Sequence, residues 1–478
     1  MFTNINGVYR VASGASVCVS DRPAIRTTIN GRLIVPDDAE ICGIYDGAGD
    51  GPPILGFGPN GVLVVEDLQG LGDGTSTTPF AFCINRRTSL SNFNLTQINT
   101  TGTIEYAATT AGTQIVTPRT YNILRINRTT PLSDFVAPST FNNPCVATGN
   151  ITANTLQVLR GVFALTNSAN TFTHSVGTLE LGSSTSSTDV ANTNTGLFVN
   201  KDNGATSTLT VTGNTTVLAG SVSLTLSATG TSITGTTLNL NGNLNTGTNT
   251  LWLSGHTSSG SPTTNINLRG NVTLSSTSRF NANPTGTVTP TVTLGEPGFT
   301  RTFDVQSVSL LGTPPAEPAN VRCNWVIPAN ATVVLPNNSA IAVMGGFNLT
   351  VNGTLICQDG AELIATLTGS GSGNPTLIMG TNGTIRVADV DGLGDGTLLD
   401  PTSNFPLFIR RTSLGSGTPN NWVLSAINTA GTIEYNGTGQ TVTPRNTSLS
   451  NNYFNLAFSG SGNKTLGGDV DVTKTHLP

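Results

Sequence analysis

The stretch DVDGLGDGT at 389–397 spaces Asp389, Asp391 and Asp395 through glycines, as an oxygen-ligand loop for calcium would require. Calcium takes six or more oxygens, often with several carboxylates among them. A second stretch, DLQGLGDGT at 67–75, repeats the pattern but has Gln69 where Asp391 stands. The shared pairs, Asp67 with Asp73 and Asp389 with Asp395, suffice for a simpler role, in which aspartates hold a turn by accepting nearby backbone N–H groups. The structural turn is the expected reading. Calcium at Asp389, Asp391 and Asp395 is its alternative, and no other cofactor is implied.

Catalysis would need further groups. A lyase would pair clustered carboxylates with a base such as Arg410 or Arg411, and a glycosidase would need two carboxyls at a defined separation. Arg86-Arg87 and Arg410-Arg411 occupy matched places in repeated segments, which points to solvated or inter-coil roles, and acidic residues number only 26 in 478. No catalytic residue is assigned and no enzyme is expected. The three histidines, His174, His256 and His476, lack His-x-His or Glu-x-x-His spacing and are expected on the surface. Six cysteines, Cys18, Cys42, Cys83, Cys145, Cys323 and Cys357, lack Cys-x-x-Cys spacing, which argues against zinc and leaves buried thiols and disulfides both open.

Composition narrows the partners. Charged residues make up 10% of the chain, against about 25% in a typical soluble protein. Thr, Ser and Asn must therefore build the surface. A net charge of −5 with no basic cluster beyond the two Arg-Arg pairs gives no footprint for nucleic acid. No window approaches the apolar run of about 18 residues that spans a bilayer, so membrane insertion is not expected. The opening MFTNINGVYRVASGASV lacks the basic and apolar regions of a secretory leader. Asn-x-Ser/Thr triplets, including those at Asn94, Asn127, Asn271, Asn348 and Asn436, are common in a chain so rich in Asn and Thr.

The elements that must position these residues are short strands. TLTVTG (208–213), TLNLNGNL (237–244), VNGTLI (351–356) and NGTIRVA (382–388) alternate polar and aliphatic residues with the period of a half-buried strand. Helix signals are missing, so almost no helix is expected. Asn-Gly pairs recur in the form apolar-Asn-Gly-x-apolar, as in Ile29–Leu33, Leu240–Leu244 and Val351–Leu355. A corner repeated in every coil explains this better than independent hairpins. Each strand has one apolar face too narrow for a core of its own, and stacking coils of roughly 20–25 residues buries that face continuously. The expected fold is an all-β parallel β-helix, or β-solenoid. A β-sandwich, the rival for such strands, would want more Trp and Tyr anchors than three and six.

The chain also duplicates itself. INGRLIVPDDAEI (29–41) lies over VNGTLICQDGAEL (351–363), INTTGTIEY (98–106) over INTAGTIEY (427–435), and VTPR at 116–119 over VTPR at 442–445. Three segments follow: a first copy at 1–140, a Thr/Ser/Gly-rich centre at 141–325, and a second copy at 326–478. Length changes between copies should fall in loops, for instance Thr75–Pro79 against Thr397–Phe405. Ends that share a cross-section could stack, the last coil of one molecule on the first coil of the next. Simple lengthening is the alternative reason for the duplication.

The segment GTIEYNGTGQTVTPRNTSLSNNYFNLAFSGSGNKTLGGDVDVT at 431–473 resembles the repeat units of secreted β-helical, adhesin-like surface proteins of Bacteroidota, with a weaker version at 102–126. The resemblance implies a β-helical fold and secretion. The expected function is therefore that of a non-enzymatic extracellular or cell-surface protein with a structural or adhesive role. Its expected partners are further copies of itself, joined end to end into filaments, and a glycan or cell-surface target. The alternative is a glycan-binding or glycan-cleaving spike of the polysaccharide-lyase type.

Overall fold

The computed structural model describes residues 4–20, 27–44, 52–72, 82–84, 96–128, 144–166, 170–183, 195–200, 206–227, 235–256, 263–281, 290–306, 323–366, 373–396, 406–410, 422–445 and 452–473. Two compact units divide the chain: Met1–Thr236 with Thr257–Pro262, and Thr237–His256 with Thr263–Pro478. Each is a parallel β-solenoid, as the alternating pattern predicts, and the antiparallel ladders of a sandwich are not found among the described residues.

In the first unit one face runs through Val8–Arg10, Arg32–Val35, Val62–Val65, Thr103–Tyr106, Thr120–Asn127, Thr152–Arg160 and Phe172–Leu181, each strand parallel to the next. Register places Leu33, Leu63, Ile104, Leu124, Leu156 and Leu179 in one inward column, and all six are buried. A buried aliphatic side chain contributes about 1.5–3 kcal/mol, so such a column stabilises the unit even though each strand alone is thin. Two further faces complete the early coils, one from Asn4–Ile5, Thr27–Ile29 and Leu55–Phe57, the other from Ser16–Ser20, Glu40–Ile44 and Phe82–Ile84.

The second unit repeats this plan. Thr300–Asp304, Thr332–Leu335, Thr354–Cys357, Thr384–Val387, Thr432–Tyr435 and Asn455–Phe458 form one parallel ladder. Thr263–Leu268, Thr291–Leu294, Asn324–Ile327, Asn348–Val351 and Thr376–Met379 form another. Trp325 anchors the interior between Phe280 and Phe303, its Nε1 donating to the Ala342 carbonyl at 2.9 Å.

The recurrent Asn-Gly pair does mark coil corners. Its glycine serves close approach: a β-carbon on Gly31 would stand 2.2 Å from the Gly7 carbonyl oxygen, and one on Gly353 would stand 2.3 Å from that of Ala331. One expectation needs correction. Coil length is more variable than 20–25 residues, since register partners Thr332 and Thr354 are 22 apart but Thr384 and Thr432 are 48 apart. Short 3-10 turns, Thr96–Asn99 and Ser425–Asn428, occur at matching places in the two copies, in keeping with the expectation of almost no helix. The loops at 75–79 and 397–405 lie outside the described residues.

Candidate functional site

The repeated Asp turn is built twice from the same parts. Asp67 Oδ1 accepts the Gln69 N–H at 2.6 Å, and Asp389 Oδ1 accepts the Asp391 N–H at 2.9 Å. The next residues, Gly70 and Gly392, adopt φ of 85° and 92°. A β-carbon there would lie 2.1 Å from the Ile115 carbonyl oxygen and 2.2 Å from that of Thr441, so the turn presses against the neighbouring strand.

A buried glutamine fastens each turn to that strand. Gln114 Nε2 donates to the carbonyls of Val65 and Asp67 at 2.8 and 3.0 Å, while its Oε1 accepts the Ala108 N–H at 3.1 Å. Gln440 Nε2 donates to Val387 and Asp389 at 2.7 and 2.9 Å, and its Oε1 accepts the Gly437 N–H at 2.6 Å. Thr117 Oγ1 takes the Gly72 N–H at 3.2 Å, and Thr443 Oγ1 takes the Gly394 N–H at 3.0 Å. Beneath them two tyrosines meet: Tyr106 and Tyr121 hydroxyls are 3.1 Å apart, Tyr435 and Tyr453 hydroxyls 2.9 Å. Tyr121 and Tyr453 donate to the carbonyls of Thr117 and Thr443. The repeated string is therefore longer than VTPR: Gln-x-Val-Thr-Pro-Arg, at 114–119 and 440–445, supplies both the glutamine and the threonine.

Electrostatics at the turn follow from burial. Loss of water raises the Asp67 and Asp389 carboxyls to about 6, against backbone N–H bonds that pull the other way. Asp37 in the first copy, and Asp359 and Asp391 in the second, add like-charge repulsion. Of the three residues considered for calcium, Asp389 is buried and Asp391 and Asp395 are half-buried; among the described residues no three carboxylate, imidazole or thiol side chains converge at metal-ligating spacing. Asp73 lies outside the described residues.

The raised carboxyl sets a pH dependence. An acid whose folded value lies above its unfolded one stabilises the fold fully below about 3.8, and that contribution is lost as pH rises through about 6. Asp389→Asn removes the ionisation. The variant's second unit is expected to be more stable than the wild type at pH 7 by about 1–3 kcal/mol, the difference vanishing near pH 4, as measured by calorimetric melting across that range.

Elsewhere the first unit holds a buried ion cluster. Glu105 accepts from Arg32 at 2.6 and 3.0 Å, from Arg125 at 3.2 Å and from Asn127 at 2.9 Å. Burial would raise its pKa, but the hydrogen bonds and charges of these partners outweigh burial and hold it low. In the second copy Glu434 pairs with Arg386 at 2.7 Å.

His174 corrects an expectation: it is buried rather than on the surface. Its Nδ1 accepts the Ile151 N–H at 3.2 Å, so Nε2 carries the proton and donates to Thr166 Oγ1 at 3.2 Å. Thr166 in turn donates to Ser207 Oγ, and Ser207 to the Val199 carbonyl, both at 2.7 Å. Burial pushes the imidazole down to about 4. The chain of bonds is closed, which gives His174 a packing role. His476, Arg86, Arg87 and Arg411 lie outside the described residues, while Arg410 ends the strand Leu407–Arg410.

The cysteines divide between the two states left open. Cys145, Cys323 and Cys357 are buried free thiols, and burial raises Cys145 and Cys357 to about 12. Cys18, Cys42 and Cys83 occupy one register position on three successive strands; Cys42 is disulfide-bonded and Cys18 is an exposed thiol.

No family model matches the chain, and no curated protein or solved structure matches it.

Proposed function

We propose that the chain is a non-enzymatic, extracellular structural and adhesive surface protein whose copies join end to end. The observation that carries this reading is a strand paired on one side among the described residues. Asn455–Phe458 pairs with Thr432–Tyr435, and although Val472 bridges Tyr453 in parallel at the start of the same coil, Phe458 is 51% and, further along that coil, Leu466 57% exposed. Its counterpart in the first copy, carrying Tyr121 and Leu124 where this one has Tyr453 and Leu456, is covered on its far side by Thr152–Arg160. A coil of this build therefore accepts another in parallel register.

The first described coil offers a matching edge. Among the described residues Val8–Arg10 pairs only with Arg32–Val35, and Tyr9, level with buried Leu33, is 38% exposed. Laid on Asn455–Ala457 of a second copy, it would place Tyr9 over Leu456, continuing the inward column of Leu33 in one molecule and Ile433 in the other. Such a joint covers strand edges that otherwise template uncontrolled aggregation, and a heterologous contact of this kind propagates when it does not close. The disulfide at Cys42 and the sparse charge suit an oxidising, extracellular setting.

Sedimentation velocity at rising concentration tests the joint. The wild-type chain is expected to form multimers whose mean mass grows with concentration. Phe458→Asp is expected to weaken association about tenfold or more, since a large apolar side chain contributes roughly 1.5–3 kcal/mol when buried. A wild-type chain that stays monomeric throughout contradicts the proposal.

A further inference from the structure

Outward amides in this fold pair along the stack. Asn30 Nδ2 donates to Asn6 Oδ1 at 2.9 Å, Asn267 to Asn239 at 2.7 Å, and Asn154 to Asn122 at 3.2 Å. One corner of the second unit departs from this habit. Asn330, Asn352 and Asn382 stand on three successive coils beside Thr332, Thr354 and Thr381, and none of these six side chains has a hydrogen-bonding partner among the described residues. Together they line a groove of about 570 Å³.

The first copy shows what keeps such a corner closed. There Asn6 and Asn30 satisfy each other, and Arg32, at the place of Thr354, reaches across to Glu105. The second copy substitutes a short hydroxyl for the arginine and leaves its amides free. The missing amide pair between Asn330 and Asn352 is thus particular to this copy, whereas Asn60, at the place of Asn382, has no side-chain hydrogen bond among the described residues either.

The lining is rich in donors and acceptors and carries no charge, which suits sugar hydroxyls and gives nothing to a phosphate or carboxylate. Parallel strands repeat at about 4.8 Å, and successive rings of an extended β-linked saccharide advance by nearly the same step, so each ring meets an equivalent Asn, with Thr332 and Thr354 equivalent on two of the coils and Thr381 just before Asn382 on the third. Phe299, 49% exposed, sits on the preceding coil, where its carbonyl accepts the Thr332 N–H at 2.9 Å. Arg301 covers one face of that ring at 4.5 Å from its centroid. Phe299 stands one coil before the lining residues, where the other side of its ring would offer an apolar platform to a saccharide that runs on past Asn330.

We infer that this groove binds a neutral, extended β-linked oligosaccharide running along the stack across Asn330, Asn352 and Asn382. The inference rests on the adhesive half of the function proposed above and is independent of end-to-end joining. A covalent glycan is the rival occupant, because all three asparagines stand in Asn-x-Thr.

The experiment uses the full chain carrying Phe458→Asp, so that failure of stacking and failure of sugar binding are read separately. Calorimetric titration with β-1,4-linked glucan and N-acetylglucosamine hexasaccharides is run beside an acidic galacturonate hexamer. Saturable binding of a neutral hexasaccharide is expected, weakened about tenfold or more when Asn352→Ala and Thr354→Ala remove its hydrogen bonds, with the melting temperature unmoved. Phe299→Ala is expected to weaken binding without altering the groove. Binding of the acidic hexamer alone, binding indifferent to these substitutions, no binding of either neutral sugar, or a glycan covalently attached at Asn352 in protein from its natural source would each overturn the inference.

Discussion

Gly392→Ala is expected to destabilise the second unit by about 3–5 kcal/mol, enough to unfold a marginal domain. Two costs add. A non-glycine residue held in the left-handed region loses roughly 1–2 kcal/mol, and the new β-carbon would sit 2.2 Å from the Thr441 carbonyl oxygen, where backbone rather than a flexible side chain must yield. Gly70→Ala makes the same demand in the first unit, at 2.1 Å from the Ile115 carbonyl oxygen. Gly439 separates the two costs: its φ is also positive, at 67°, but nothing lies within 4 Å of its would-be β-carbon. Gly439→Ala should therefore show the conformational cost alone. Urea unfolding of the three variants, followed by circular dichroism, reads the difference.

Gln440→Leu should also be costly, by a different route. Leucine fills the volume but strips one of the two hydrogen bonds accepted by each of the Val387 and Asp389 carbonyls, which keep the N–H groups of Asn436 and Gly392, and it removes the acceptor of the Gly437 N–H in a place water does not reach. Leaving a buried polar group unpaired costs about 1–3 kcal/mol, so the loss is expected near 2–3 kcal/mol. Gln114→Leu removes the matching bonds to Val65, Asp67 and Ala108, where the two carbonyls keep the N–H groups of Ala107 and Gly70. The duplication thus provides its own replicate: equal losses in the two units would show that the glutamine acts through this local geometry, and a loss confined to one unit would show that it does not.

Much of this architecture was legible because a solenoid writes its core as a repeat. Alternation in stretches such as VNGTLI fixes which side chains turn inward, and Asn-Gly at a constant place before the next strand marks the corner. Repetition of the aspartates at 67 and 389 pointed to a turn, and the bonds from the Gln69 and Asp391 N–H groups to their side chains are seen only in the structure. Gln114 and Gln440 were harder to see, because a polar residue on an inward face looks like an exception until its carbonyl partners on another coil are known; repetition of Gln-x-Val-Thr-Pro-Arg was the available signal. His174 could have been placed by parity, since it stands two residues before buried Val176 in the strand Phe172–Leu181. Its partners Thr166 and Ser207 come from neighbouring strands and loops, and no local pattern announces them. The open corner at Asn352 was invisible for a related reason. Asn30 and Asn352 share the apolar-Asn-Gly context and differ two residues on, where Arg32 stands against Thr354, but whether the stacked neighbour's amide pairs with them is not written in either stretch.

The end-to-end joint can be tested at the level of register. Adjacent parallel strands stand about 4.8 Å apart, within the span a disulfide bridges. A chain carrying Val8→Cys and Asn455→Cys, with Cys18→Ser to remove the exposed thiol, is oxidised gently and run on a denaturing gel. A ladder of covalent multimers that collapses on reduction is the expected result, because residue 8 of one molecule faces residue 455 of the next. Material that stays at the mass of one chain, at concentrations where the wild type sediments as multimers, would contradict the joint and with it the scaffold role.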